Sequence, residues 1–201
     1  MNLFVTNTHE FSEEVRVTSL LVNPEIDLPN QVFVSEFSKF TFINFDDIFS
    51  EEFFERLTTF LRYNNEDNLT VFVIDPDPEL YFYHHFGKYP LMIIPISCSP
   101  QEYVSLMFSD PGESSADAIV YNSSRLVIHS SSLRWAIYGS RDFEVGIFAS
   151  KDETALDTFK WIYHRTFDVT SVIENILQPA WSPNQFPVDF KKQLLTNYAG
   201  R

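Results

Sequence analysis

Between residues 118 and 149 four short apolar runs follow one another, AIVYN, RLVIHS, LRWAIYG and FEVGIFA, parted by a serine cluster and by Gly139-Ser140-Arg141-Asp142. In the last two, Leu133, Trp135 and Ile137 alternate with Arg134, Ala136 and Tyr138, while Phe143, Val145 and Ile147 alternate with Glu144, Gly146 and Phe148. That is the two-residue period of a β-strand. Strands linked by turns this short pair with antiparallel neighbours, so the second half of the chain predicts an antiparallel meander.

The segments around the meander read as helices and further strands. Phe49, Phe53, Leu57, Phe60 and Leu61 recur every three to four residues, with Glu51, Glu52 and Glu55 early in the run, which predicts a helix from about Ser50 to Arg62. NLTVFVIDP then reads as a strand buried on both faces, and LMIIPI as a second one that Pro95 confines to a sheet edge or a bulge. Ser99, Pro100 and Glu102 form a capping box opening a short helix to about Phe108. Ser150 to Glu153 reads as another, before a helix carrying Leu156, Phe159 and Tyr163. A helix over Ser171 to Leu177 should stop before Pro179, and a last one should run from about Val188 to Tyr198 with Gly200 past its end. The sum is an α+β fold, or a mixed α/β one, in which about four to five helices pack on a predominantly antiparallel sheet. A single domain over residues 1–201 is expected.

Composition narrows the function classes. A hydrophobic fraction of 44%, with 21 phenylalanines, supplies a sizeable core. Fourteen basic side chains against 28 acidic ones give a net charge of −14, which repels polyphosphate and favours a basic protein partner over direct nucleic-acid binding. The single cysteine, Cys98, forms no internal disulfide. It follows a strand and precedes a helix N-terminus, a place that can lower a thiol pKa, but a lone cysteine reads first as a small buried hydrophobe. MNLFVTNTHEF lacks the basic and apolar regions of a leader, and no run reaches membrane-spanning length, so a cytoplasmic protein without membrane association is expected. Nucleophile elbows, Walker loops, dinucleotide fingerprints and His-Glu-x-x-His are missing from the sequence.

Three constellations are candidates for chemistry. ELYFYHHFGKYP carries His84 and His85, whose side chains diverge in any regular structure and so do not readily serve one metal. The reading adopted is that Leu80, Tyr81, Phe82 and Phe86 dock on the core, Gly87 turns the chain, and either histidine is at most an acid/base or ligand group. Asp75 and Asp77 stand just beyond the strand in VFVIDPDPE, where α/β proteins often place ligands, and two carboxylates so spaced can hold Mg²⁺ or Mn²⁺. This Asp-x-Asp resembles the first motif of haloacid-dehalogenase-type phosphatases and the Asp-x-Asp of nucleotide-sugar glycosyltransferases. It departs from the phosphatases in having Glu79 where they carry Thr or Val, and in lacking a later acidic pair. Finally Arg141, Asp142 and Glu144, with Trp135 and Tyr138, read as a charged and aromatic recognition patch on the meander turn.

Two functions follow. The first is an acidic interaction module needing no cofactor, such as an inhibitor or immunity-type protein that blocks a basic toxin. The alternative is a small divalent-metal-dependent hydrolase or transferase using Asp75 and Asp77 as ligands with His84 or His85 as acid/base, which requires those residues to share a cleft.

Overall fold

In a computed structural model of the chain, described for residues 4–34, 36–112, 114–180 and 186–199, six strands form one antiparallel sheet in the order β1-β6-β5-β4-β2-β3. The strands are β1 Lys39–Asn44, β2 Asn68–Asp75, β3 Leu91–Pro95, β4 Arg125–His129, β5 Trp135–Ser140 and β6 Val145–Ser150. The α+β expectation and its meander hold, since β4, β5 and β6 are consecutive antiparallel neighbours.

Every residue of β5 and β6 is buried, so their alternation divides side chains between two cores rather than between core and solvent. Trp135, Ile137 and Phe148 face the first core, closed by α2 (Glu51–Tyr63), α4 (Pro100–Met107) and α5 (Glu153–Ile162). Ala136, Tyr138, Val145 and Ile147 face the second core, closed by α6 (Val169–Val172), a π-helical turn (Ile173–Leu177), α8 (Val188–Tyr198) and the chain from Leu21 to Phe37. Over the β2–β3 end of that second face lies α1, Thr8–Thr18, capped by Asn7 and attached through Phe11, which packs with Phe72, Tyr89 and Leu91.

The Ser99–Glu102 capping box is fully formed as read, and α2 lies where its periodicity placed it, with Ser50 found to be its cap. β3 is an edge strand. Ile96 N–H donates to Asp67 and Val73 N–H to Pro90. The even-numbered residues of β3 therefore bond β2, and Pro95, directed outward, removes no bond from the ladder.

Four expectations need correction. Ala118–Asn122 is not a strand: its backbone closes on itself, with Tyr121 and Asn122 N–H both bonding Ala118 O, and its apolar content serves to plug Ile119 into the core. Ser150 does not cap α5; it ends β6 and donates to Asp152 O, and Asp152 caps the helix by accepting from Ala155 N at 2.8 Å. The helix expected over Ser171–Leu177 starts at Val169 under an Asp168 cap and runs on through Pro179 in α7, Gln178–Ala180. Its π-helical turn widens the bonding frame, with Gln178 N–H reaching back to Ile173 O. A residue lacking an N–H is tolerated more readily where the regular ladder is already shifted. Leu80 is 74% exposed rather than docked, although Phe82 is buried and Gly87 turns the chain at φ +65°. α1 and β1 were not foreseen, so the helices exceed the expected count, and Gly200 lies outside the described residues. Among the described residues no helix is long and apolar enough to cross a membrane.

Candidate functional site

β2 delivers Asp75 to the rim of the sheet, and the chain then turns through Pro76 into a rare π-helical segment, Pro78–Tyr83. Asp77 caps that segment: its Oδ1 accepts from Glu79 N and Leu80 N, both at 2.8 Å. The partner of Asp75 across the sheet is Arg125, the first residue of β4, whose Nε donates to Asp75 Oδ2 at 3.1 Å and whose Nη1 donates to Pro24 O at 3.0 Å. Burial works against the Arg125 charge, yet Tyr138 and Asp75 beside it hold the guanidinium above its ordinary pKa. One side chain thus ties the loop before residue 27 to the end of β2.

These elements leave a half-open groove of about 700 Å³ between α1 and the π-helical segment. Phe72 and Ile74 of β2 form its apolar floor, and Phe11 and Val15 line the α1 wall. Leu80 lines the opposite side, and Glu25, Asp75, Asp77 and Glu79 place four carboxylates around it against the single guanidinium of Arg125. Val15, at 41% exposure, and Leu80 leave large apolar surface open to solvent. Tyr83, 40% exposed, extends that surface from the same segment and stacks on Tyr89, which in turn stacks on Phe11 of the groove wall. Large exposed apolar groups gathered beside a groove mark interaction surfaces, and π-helical turns recur at functional sites.

The residues singled out from sequence fare differently. His84 and His85 lie on α3, His84–Phe86, exposed and edge to face at 5.1 Å. Neither lines the groove that holds Asp75 and Asp77. The four residues required by the metal-dependent reading are therefore not brought into one cleft. Among the described residues no group of three or more histidine, cysteine or acidic side chains is placed to hold a metal ion. Arg141 is an anchor rather than a presented charge: it donates to Ser123 O at 2.9 Å and Val120 O at 2.6 Å and lies 4.8 Å over the Phe45 ring. Asp142 and Glu144 are exposed on the turn, Glu144 in the left-handed region at φ +56°. Trp135 and Tyr138 are buried on opposite faces of the sheet, donating to Glu66 and Asp27 respectively. The five do not form one exposed patch. Cys98 is partly buried beside Glu102, and burial followed by that carboxylate raises its pKa, the reverse of an activated thiol.

Comparison with protein-family models, curated proteins and solved structures gives no match. The functional reading rests on the groove. Its α1 wall was missed in the sequence, although Asn7 as cap with Phe11, Val15 and Thr18 at helical spacing carried the signal. Arg125 carried none, because its role depends on a strand pairing between distant segments.

Proposed function

We propose that this protein is an acidic interaction module that captures a basic protein partner, with the groove between α1 and the Pro78–Tyr83 segment as its docking surface. The observation that carries the reading is the joining of exposed Val15, Leu80 and Tyr83 to a rim of Glu25, Asp75, Asp77 and Glu79. Apolar anchors surrounded by charge of one sign suit a partner of opposite charge: the apolar groups supply affinity, and the charges steer encounter and choose among partners. A net charge of −14 extends the same field over the molecule. An inhibitor or immunity-type protein that covers a basic toxin would use such a surface. The metal-dependent alternative gains no support from the placement of His84 and His85.

The test is partner capture at low and high salt by the wild-type protein, by Leu80→Arg/Glu79→Arg in the groove, and by Glu55→Arg on the exposed face of α2. A partner retained by wild type and by Glu55→Arg, released by the groove variant and weakened by salt, is the expected result. A set of bound proteins unchanged by the groove substitutions would refute the assignment.

A further inference from the structure

The docking reading can be sharpened to one side chain, because the groove joins an apolar floor to carboxylates from two neighbouring residues that each keep one oxygen outside the protein's own hydrogen bonds. Asp75 gives Oδ2 to Arg125, and Asp77 gives Oδ1 to two backbone amides. Among the described residues, Asp75 Oδ1 and Asp77 Oδ2 accept no hydrogen bond. Both side chains are open to solvent and belong to the groove lining together with Phe72 and Ile74.

From this we infer that the groove receives an arginine side chain from an extended segment of the partner, with an apolar residue beside it; the inference rests on the docking function proposed above. A guanidinium is planar, offers five N–H donors and can bridge two separate carboxylates. It is also weakly hydrated, so it sheds water against an apolar floor at lower cost than an ammonium does. Its methylene stem covers Ile74 and Leu80 in the way long cationic side chains cover apolar surface elsewhere. The groove volume of about 700 Å³ exceeds what one side chain fills and leaves room for a flanking apolar residue against Val15. Other occupants fit less well. A hard divalent cation takes six or more oxygens, whereas half the carboxylate capacity of Asp75 and Asp77 is already committed to Arg125 and backbone amides. A second copy of this chain brings a charge of −14 against an acidic rim.

The experiment titrates the ¹⁵N-labelled full chain with acetyl-Ile-Arg-Ile-amide and with its lysine and citrulline counterparts, following the amides of Val15, Ile74 and Leu80. The arginine peptide is expected to bind roughly tenfold more tightly than the lysine peptide, the equivalent of one charge-assisted hydrogen bond. Citrulline, which keeps the shape and loses the charge, is expected not to bind. Asp75→Asn/Asp77→Asn should abolish arginine binding. Because that variant also alters the Arg125 pair and a helix cap, Glu25→Gln/Glu79→Gln is tested beside it and should weaken binding several-fold without a change in melting temperature. Equal binding of the arginine and lysine peptides overturns the arginine assignment and leaves the capture of basic partners standing. Equal binding of citrulline, or shifts that avoid the groove, overturns both.

Discussion

Glu66 is the clearest place where a single substitution should be felt. Its side chain is almost wholly buried, with Oε2 accepting Trp135 Nε1–H at 2.9 Å and Oε1 accepting the Ser132 hydroxyl at 2.5 Å. Arg134 lies 3.8 Å away but is half exposed and adds little. In Glu66→Ala the indole N–H of Trp135, itself 1% exposed, loses its protein acceptor. A buried donor left unpaired costs about 1–3 kcal/mol. Ser132 is exposed and finds solvent, and relief of the carboxylate's desolvation returns part of the loss. The net expectation is a destabilisation of about 2 kcal/mol, which for a chain of this length is a fall in Tm of roughly 4–8 °C. Glu66→Gln retains an acceptor and should cost about half as much. Trp135→Phe should cost about 2 kcal/mol, since it strands the carboxylate, but Glu66→Ala/Trp135→Phe removes both partners and should cost clearly less than the sum of the two single changes. Urea unfolding followed by far-ultraviolet circular dichroism gives the four corners of the cycle independently of the lost fluorophore. A coupling energy under about 0.5 kcal/mol would refute the reasoning, because the two groups would then behave as independent sites.

Two further outcomes follow from buried polar groups. His129 is buried, with Nε2 2.7 Å from Glu14 Oε1 and Nδ1 3.1 Å from Ser130 O, so Glu14→Ala leaves a buried ring nitrogen without its partner and should cost about 1–3 kcal/mol and speed hydrogen exchange in residues 8–18 more than elsewhere; uniform acceleration would argue against a clasp on α1. Burial foremost raises the phenolic pKa of Tyr103, Tyr138, Tyr163 and Tyr198. A raised folded pKa means that the stability these groups contribute is intact below the unfolded value of about 10 and is lost as pH climbs above it, where only the unfolded chain ionises. Absorbance at 295 nm should therefore rise in two stages, the second coinciding with loss of circular dichroism, and one stage in a still folded protein would contradict the burial.

What could be read in advance was local. α2, the Ser99–Glu102 capping box, β2 and the meander each declare themselves within a dozen residues, through periodicity, a cap or a turn. AIVYN failed because a short apolar run has one appearance whether it spans a sheet or plugs a core; the closure of its hydrogen bonds on Ala118 decides, and that is not written in residue type. α1 is a mostly polar helix, so the helical spacing of its few apolar groups is a weak signal, and β1 is six residues beside a 3₁₀ turn. In the site, Asp75 and Asp77 were visible as carboxylates after a strand, whereas Trp135 and Tyr138 were placed together because they are neighbours in sequence. Adjacent strand positions of opposite parity point to opposite faces, and in a sheet covered on both sides neither face is surface.

The location of the groove follows from how that covering is shared. Over β1, β6 and β5 the second face is closed by α6, α8 and the chain from Leu21 to Phe37, which together hold a broad core. Over β2 and β3 it is closed, among the described residues, by α1 and by Val5 just before it, with α1 held by Phe11, by the Tyr89 hydroxyl on Thr8 and by the Glu14–His129 contact. One helix is too narrow to cover two strands, so a groove stays open between α1 and the end of β2, with partly buried Ile74 on its floor and Phe72, only 2% exposed, beneath it. Exposed apolar groups such as Val15 and Leu80 beside such a floor are ordinarily an aggregation hazard. Here the end of β2 and the turn after it surround that floor with carboxylates, and two molecules approaching by this face repel each other. The same arrangement that discourages self-association admits a cationic partner, so reversing the rim charge should both release the partner and lower the solubility of the free protein.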